Sequence, residues 1–298
     1  MNNIVFAGLG SMGIPMATNL RGAGMQVHGI DVDRARAERF NGLAERQISE
    51  REALAGADGL VIMVVNAAQV RDLLFKREMA SQLPAGACIV QMSTVAPGDS
   101  AAISAEVKAL RDDLHYVDAP VSGGVVGARD GSLTIMAAAG DDAFAACRPI
   151  FAAMGRAIYR AGTDAGQGST MKAVNQLLCG VHIAVAAEAM ALAEKNGLDL
   201  AVMLEMLSGS AASSWMIKDR GPRMILPPDE VTSAVDIFCK DLGIVCESAT
   251  QSRTYTPLAH AAHQLFVASS ERGEGQLDDS QVIRTYRLLN GSPSQEEQ

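Results

Sequence analysis

The chain is poor in cysteine, and the cysteines it has form no pattern. The five, Cys88, Cys147, Cys179, Cys239 and Cys246, are odd in number and include no CxxC pair. That argues against a disulfide scaffold and predicts reduced, mostly buried thiols in a cytoplasmic protein. No His/Cys/Asp group has metal-ligand spacing, and His260 with His263, at i and i+3, reads as part of a helix surface, so no metal is expected. There is no dense basic block, and the net charge is -9. Nucleic acid and an anionic membrane surface are therefore not expected partners. The opening MNNIVFAGLG lacks a basic region and a small-residue cleavage site. No signal peptide is expected there, and its apolar run reads as a first strand. The chain has 298 residues, 48% hydrophobic and 20% charged. That is ordinary for a soluble globular protein of about two domains.

One long stretch also lacks proline. Gly166 to Gly197 is rich in Ala, Leu, Met, Glu and Lys, all good helix formers. Gly168 and Ser169 can start a helix there, and Asn196-Gly197 can end it through a left-handed cap. At a rise of about 1.5 Å per residue it would be roughly 45 Å long. It is apolar nearly all round, which predicts burial on most faces. Lys172, Asn175, Gln176, His182 and Glu188 interrupt the apolar run and argue against a membrane span. Lys172, Asn175 and Gln176 fall at i, i+3 and i+4, on one face within one turn. Two readings are open. The lysine snorkels to the surface while the amides cap loop carbonyls, or it is held in a site where it needs a partner or a lowered pKa.

The first half alternates strands and helices. Asn3 to Gly10 reads as a buried strand running into glycines, Ser11 to Gly24 as a helix with Pro15 in its first turn, and Gln26 to Asp31 as the next strand. The turn is Gly8-Leu9-Gly10-Ser11-Met12-Gly13, a GxGxxG, and an acid, Asp31, follows 18 residues after Gly13. A strand before, a helix after and an acid at the next strand's end together make the dinucleotide-binding fingerprint. Gly8 allows the tight turn, Gly10 lets backbone approach a pyrophosphate, and Gly13 lets helix pack on strand. The helix N-terminus offers N–H donors and its dipole. Asp31 accepts from the adenosine ribose and repels a 2'-phosphate, which favours NAD over NADP. Arg34 nearby weakens that preference.

Further strands are predicted at Gly59–Val65, Ala87–Ser93, Tyr116–Ala119 and Leu133–Ala139, with a helix over Ala68–Leu83 stopped by Pro84. This spacing implies a Rossmann-like, doubly wound, mostly parallel sheet. Ligands bind at the carboxyl ends of such strands, where Val65, Asn66, Ser93 and Thr94 fall. Each of these either touches the cofactor's ribose and nicotinamide or is an ordinary strand-end residue. Between two strands runs Asp118 to Thr134, DAPVSGGVVGARDGSLT. Its Ser122-Gly123-Gly124 either presents a hydroxyl and consecutive N–H groups to an anion or serves chain geometry alone.

Three segments together, GLGSMG with Asp31, DAPVSGGVVGARDGSLT and GSTMKAVNQLL, resemble the 3-hydroxyisobutyrate dehydrogenase-like family of β-hydroxyacid dehydrogenases. Phe238-Cys-Lys-Asp-Leu242 matches that family's KDL segment. The resemblance covers the chain except the polar tail. It implies a Rossmann NAD-binding domain over 1–163, an all-helical substrate and oligomerisation domain over 164–291 built on the long helix, and the tail 292–298. It implies that Lys172 is the catalytic acid/base. Ser122, Gly123, Gly124, Asn175 and Gln176 would hold the substrate, and Lys240 would lie beside both cofactor and substrate. Gly8, Leu9, Gly10, Ser11, Met12, Gly13, Asp31, Val65, Asn66, Ser93 and Thr94 would serve the cofactor. The segments Ser210–Trp215 and Ser233–Gly243 look closest to the L-threonate dehydrogenase branch, which oxidises a four-carbon sugar acid. Relatives acting on 3-hydroxyisobutyrate or tartronate semialdehyde share the same core.

In that chemistry a hydride leaves a carbinol carbon and a proton leaves its hydroxyl. Lys172 suits the base if burial and Lys240 lower its pKa toward neutrality. An imine reductase shares the architecture but lacks lysine at this position. A non-enzymatic NAD-binding scaffold is the other class of alternative. The second half shows only helical spacing, at Leu198–Leu207, Ser233–Ser248, Pro257–Ser270 and Gln281–Leu288. Trp215, in a small-residue loop, reads as a core plug before a pocket wall. The long helix has too few helices after it to cover it, which predicts a homo-oligomer, dimer or tetramer, through the helical domain.

Overall fold

The computed structural model describes residues 1–43 and 48–291. The tail 292–298 lies outside the described residues. The chain divides into two compact units, Met1–Lys172 and the residues from Ala173 onward.

The first unit runs β1 Asn3–Ala7, α1 Gly13–Gly22, β2 Gln26–Ile30, α2 Arg34–Asn41, α3 Glu50–Ala55, β3 Gly59–Ile62, α4 Ala67–Arg71, α5 Met79–Gln82, β4 Cys88–Gln91, α6 Pro97–Leu110, β5 His115–Asp118, β6 Val121–Ser122, α7 Gly124–Arg129, β7 Leu133–Ala138, α8 Asp141–Met154 and β8 Gly155–Gly162. The strand order is β2-β1-β3-β4-β5-β7-β6, with β8 on the other side of β7. The first five strands are mutually parallel, whereas β7 runs antiparallel to β5 and β6. Successive side chains on a strand point to opposite faces, and here both faces are covered. Ile4, Phe6, Val61 and Val90 enter one core, and Val5, Ala7, Leu60, Ile62 and Ile89 enter the other. That is why these strands read as unbroken apolar runs.

Two strands end earlier than their apolar runs. The runs continue to Val65 and Ser93, but the ladder stops at Ile62 and Gln91, because the Ser93 hydroxyl takes the Val64 N–H at 2.8 Å. The helix expected over Ala68–Leu83 is broken. A π-helical segment, Asp72–Lys76, follows α4, and Glu78 turns left-handed at φ 56° before α5. Strands β6 and β8 were not legible as strands.

The helix α9, Gln167–Lys195, is 29 residues long. Its first residues belong to the first unit and the rest to the second. α10 Leu200–Gly209, α11 Trp215–Ile225, α12 Val235–Gln251, α13 Pro257–Ser269 and α14 Ile283–Leu289 complete the chain. The second unit's core gathers Ile183, Ala187 and Met190 of α9 with Phe238, Leu242, Phe266 and Ile283. Gly180 makes close packing possible: a Cβ there would stand 2.8 Å from the Leu242 side chain. Phe238 and Phe266 stack at 5.2 Å. An 18-residue window of α9 is apolar enough to cross a membrane, at mean hydropathy 1.6, and half of that window is buried inside the protein. α11 replaces the latter part of the expected small-residue loop, because Ser214 caps it by accepting the Ile217 N–H at 3.1 Å.

Candidate active site

The glycine turn between β1 and α1 shows three different uses of glycine. Gly8 has φ +98°, and a Cβ there would lie 2.2 Å from the Met63 carbonyl oxygen. A Cβ on Gly13 would lie 1.8 Å from the Gly8 oxygen, so only glycine lets α1 sit this close to β1. A Cβ on Gly10 would meet nothing within 4 Å. Gly10 faces a cleft of about 570 Å³ lined by Leu9, Ser11, Ile14, Arg36 and Arg129, among others. Met12, at the start of α1, makes no side-chain cap. A helix N-terminus left without a side-chain cap, above a glycine with open space in front of it, fits a dinucleotide's pyrophosphate.

Asp31 stands at the end of β2 with its side chain almost fully buried. Its Oδ2 accepts the Leu9 N–H at 2.6 Å and its Oδ1 accepts the Asp33 N–H at 2.8 Å. The carboxylate thus pins the glycine turn to β2. The cation paired with it is Arg36, at 3.5 Å, two residues beyond the Arg34 that the sequence brings to mind. Asp33 caps α2 by accepting the Arg36 N–H, and that cap brings Arg36 back over the β2 end.

The strand-end residues divide. Val65 is exposed. Asn66 caps α4 by accepting the Gln69 N–H at 3.0 Å. Ser93 is fully buried and occupied by Val64, while Thr94 beside it is half-buried. Ser122 lies half-buried in β6. Gly123 and Gly124 follow, exposed, with φ +132° and +61°. Glycine adopts both of these positive φ values without strain, where a residue with a side chain would not.

Lys172 lies in the first turns of α9 and is 7% exposed. The start of that helix is capped from the sheet. Asp118, at the end of β5, accepts the Gly166 N–H at 2.8 Å and the Ser169 N–H at 2.9 Å with Oδ2, and the Ser169 hydroxyl at 2.7 Å with Oδ1. Burial pushes the Asp118 carboxyl above the usual carboxylate range, against the pull of those hydrogen bonds.

In the second unit the amides of α9 join a short chain. Asn175 Nδ2 donates to Gln176 Oε1 at 2.9 Å, and Gln176 Nε2 donates to Asp241 Oδ2 at 2.5 Å. Lys240 Nζ is 2.8 Å from Asp241 Oδ1. Asp241 is buried and holds both Gln176 and Lys240 in place. No local pattern marks Asp241, since its partner is 65 residues away. Trp215 is not the core plug expected: it is 60% exposed at the first position of α11, with Arg220 packed 6.0 Å above its ring. Arg220 pairs with Asp279 through two bonds, 2.7 and 2.9 Å, and with Asp219. Arg223 bonds to Thr232, Asp278 and Asp219. These arginines lock α11 to the segment before α14. Among the described residues, no three His, Cys, Asp or Glu side chains are grouped to hold a metal ion.

A Rossmann sheet, an open glycine turn and a buried acid at the end of β2 define a nicotinamide-dinucleotide-dependent oxidoreductase. Residues 3–162 match the family described as the NAD binding domain of 6-phosphogluconate dehydrogenase. Residues 166–286 match the family described as NAD-binding of NADP-dependent 3-hydroxyisobutyrate dehydrogenase. The L-threonate dehydrogenase of Escherichia coli (strain K12) is 38% identical over 287 residues, covering 95% of this chain and 94% of that protein. The 2-hydroxy-3-oxopropionate reductase of the same strain is 32% identical over 285 residues, covering 95% and 97%. The crystal structure of a 3-hydroxyisobutyrate dehydrogenase from Salmonella typhimurium superposes with a TM-score of 0.86 at 39% identity, over 96% of this chain and 100% of that one. The chain belongs to the 3-hydroxyisobutyrate dehydrogenase-like family of NAD-dependent hydroxyacid dehydrogenases.

Proposed function

We propose that the protein oxidises the 2-hydroxyl of a four-carbon sugar acid, L-threonate, to the 2-oxo acid, with Lys172 as acid/base and NAD preferred to NADP. The observation that carries the chemistry is a buried lysine on a helix turn anchored to the cofactor-binding sheet by Asp118. The substrate follows from similarity to L-threonate dehydrogenase along nearly the whole chain. The bound dinucleotide supplies the hydride acceptor. Lys172 takes the proton of the hydroxyl as the carbinol carbon gives up its hydride, and in the reverse direction its ammonium returns that proton to the oxygen. Ser122, Gly123 and Gly124 hold the carboxylate, Asn175 and Gln176 hold hydroxyls, and Lys240 adds positive charge for the anionic substrate. Asp31 takes the ribose hydroxyls and disfavours a 2'-phosphate.

A panel of hydroxy acids with NAD tests this, including L-threonate, 3-hydroxyisobutyrate and, in the reducing direction, tartronate semialdehyde. L-Threonate is expected to give the highest kcat/KM. A higher value for another acid would reassign the substrate. No turnover on the whole panel with intact NAD binding would make the protein a scaffold. Lys172→Ala is expected to bind NADH normally and to lose turnover by on the order of 10² or more. Near-normal turnover would remove Lys172 from its role.

The enzyme works in the cytoplasm as a homo-oligomer, dimer or tetramer, through the helical unit. Val174, Leu178, Val185 and Leu192 of α9 are each half-exposed or more, and their spacing puts them on one side of the helix. A second copy of this stripe is the natural cover for it.

A further inference from the structure

We infer that Asp118 is the positioning residue for the acid/base: its carboxylate, at the end of β5, fixes the turn that carries Lys172. The inference rests on the reading of Lys172 given above.

A helix leaves its first N–H groups without internal partners, and the residue just before it usually supplies a side-chain cap. Before α9 that residue is Gly166, which has no side chain and a φ of +97°. The cap comes instead from Asp118, 48 residues from Gly166 and 51 from Ser169. A side-chain cap at position 166 itself is closed off, because a Cβ there would stand 2.9 Å from the Pro97 carbonyl oxygen, and a group mounted on the sheet also fixes where the helix stands. The seating is close. A Cβ on Gly168 would lie 2.3 Å from the Asp118 carbonyl oxygen and 2.6 Å from that of Met136, so the turn rests directly on β5 and β7. Asp118 sits between neighbouring strands, opposite Gln91 of β4 and Ala138 of β7, and is fully buried. Lys172 follows Ser169 by three residues, a rise of about 4.5 Å along the helix. The compact first unit ends at Lys172. The lysine therefore belongs to the same compact unit as the sheet that carries the glycine turn. Burying a carboxylate is costly, and three donors converge on this one, so a small change in it displaces the turn. A misplacement of about 1 Å in a reacting group can cost about 10²-fold in rate.

The test uses Asp118→Asn, Ser169→Ala and Ser169→Thr, with Lys172→Ala alongside, each measured for kcat, KM, NADH binding, melting temperature and the deuterium isotope effect on kcat. In Asp118→Asn the amide oxygen can accept only the two backbone N–H groups, and the NH2 faces the Ser169 hydroxyl, which must accept instead of donate, so the charge-assisted character of all three bonds is lost. It is expected to lower kcat by about 10²-fold, leave KM and NADH affinity near wild type, and raise the isotope effect because chemistry becomes slow. Ser169→Ala should lower kcat about tenfold through loss of one charge-assisted bond, and Ser169→Thr should restore it. A wild-type kcat in Asp118→Asn would overturn the inference. So would a loss shared equally by kcat, NADH binding and folded fraction, which a purely structural cap would give. If Asp118→Asn does not fold, Ser169→Ala decides: a loss confined to kcat supports the inference and an unchanged kcat overturns it. An active Lys172→Ala would overturn both the Lys172 reading and this one. An inactive Lys172→Ala beside a normal Asp118→Asn would overturn this one alone.

Discussion

Replacing Gly10 and Gly13 separately by alanine pulls apart two duties of one turn. A glycine replaced by alanine within or beside a helix ordinarily gains about 0.5–1 kcal/mol, because the unfolded chain loses freedom. At Gly13 that gain is outweighed. The new Cβ would stand 1.8 Å from the Gly8 oxygen, where ordinary contact is 3.4–4 Å, and the obstacle is backbone. Separating them means moving α1 off β1 by more than an ångström, and overpacking of this kind costs about 1–3 kcal/mol or more. Gly13→Ala is therefore expected to lower the melting temperature. At Gly10 the Cβ meets no protein atom within 4 Å, so folding stability should hold or rise slightly. The methyl instead occupies the space the pyrophosphate needs. Losing one charge-assisted backbone hydrogen bond there costs about 1.5–3 kcal/mol, or roughly ten- to a hundredfold in NADH affinity. Thermal melts and an NADH fluorescence titration on the two variants read both effects. Normal NADH affinity in Gly10→Ala would refute the assignment of the cleft, and an unaltered melt for Gly13→Ala would refute the packing argument.

Asp31→Ala should narrow the preference for NAD over NADP. Because the Leu9 N–H loses its acceptor, NADH affinity should also fall; equal use of both cofactors by the wild type would contradict the premise. Leu178→Glu on the exposed stripe of α9 should shift sedimentation toward monomer and lower activity on dilution. A wild-type protein that is monomeric and fully active at 31.2 kDa would sink that expectation. Burial, aided by Arg21, holds the His28 imidazole below its usual pKa, Glu50 opposing. A lowered folded pKa stabilises above the unfolded value of about 6.5 and loses that stability as pH falls through the folded one. His28→Gln should flatten the stability profile below about pH 6.5, and an identical slope in wild type and variant would remove His28 as the cause.

The parts of this protein readable from sequence are those whose signal is short-range. The order strand, glycine turn, helix, strand and acid lies within Asn3–Asp31, so the dinucleotide fingerprint was complete on one stretch of chain. The parallel strands showed as apolar runs because both faces of the sheet are covered. The long helix, with Lys172, Asn175 and Gln176 on one side, followed from spacing alone. Tertiary structure decided what no local period encodes. Asp118 reaches Ser169 across 51 residues, and Asp241 reaches Gln176 across 65. Neither partner can be chosen from sequence, because many carboxylates compete for the same donors until the fold brings one to the spot. Arg36 rather than Arg34 faces Asp31 because the Asp33 cap sets the helix register there. Trp215 lies exposed rather than in the core because the Ser214 cap starts a helix at that residue, with Arg220 over its ring. Arg220 and Arg223 are occupied by aspartates up to 59 residues distant, so their positive charge holds the fold together.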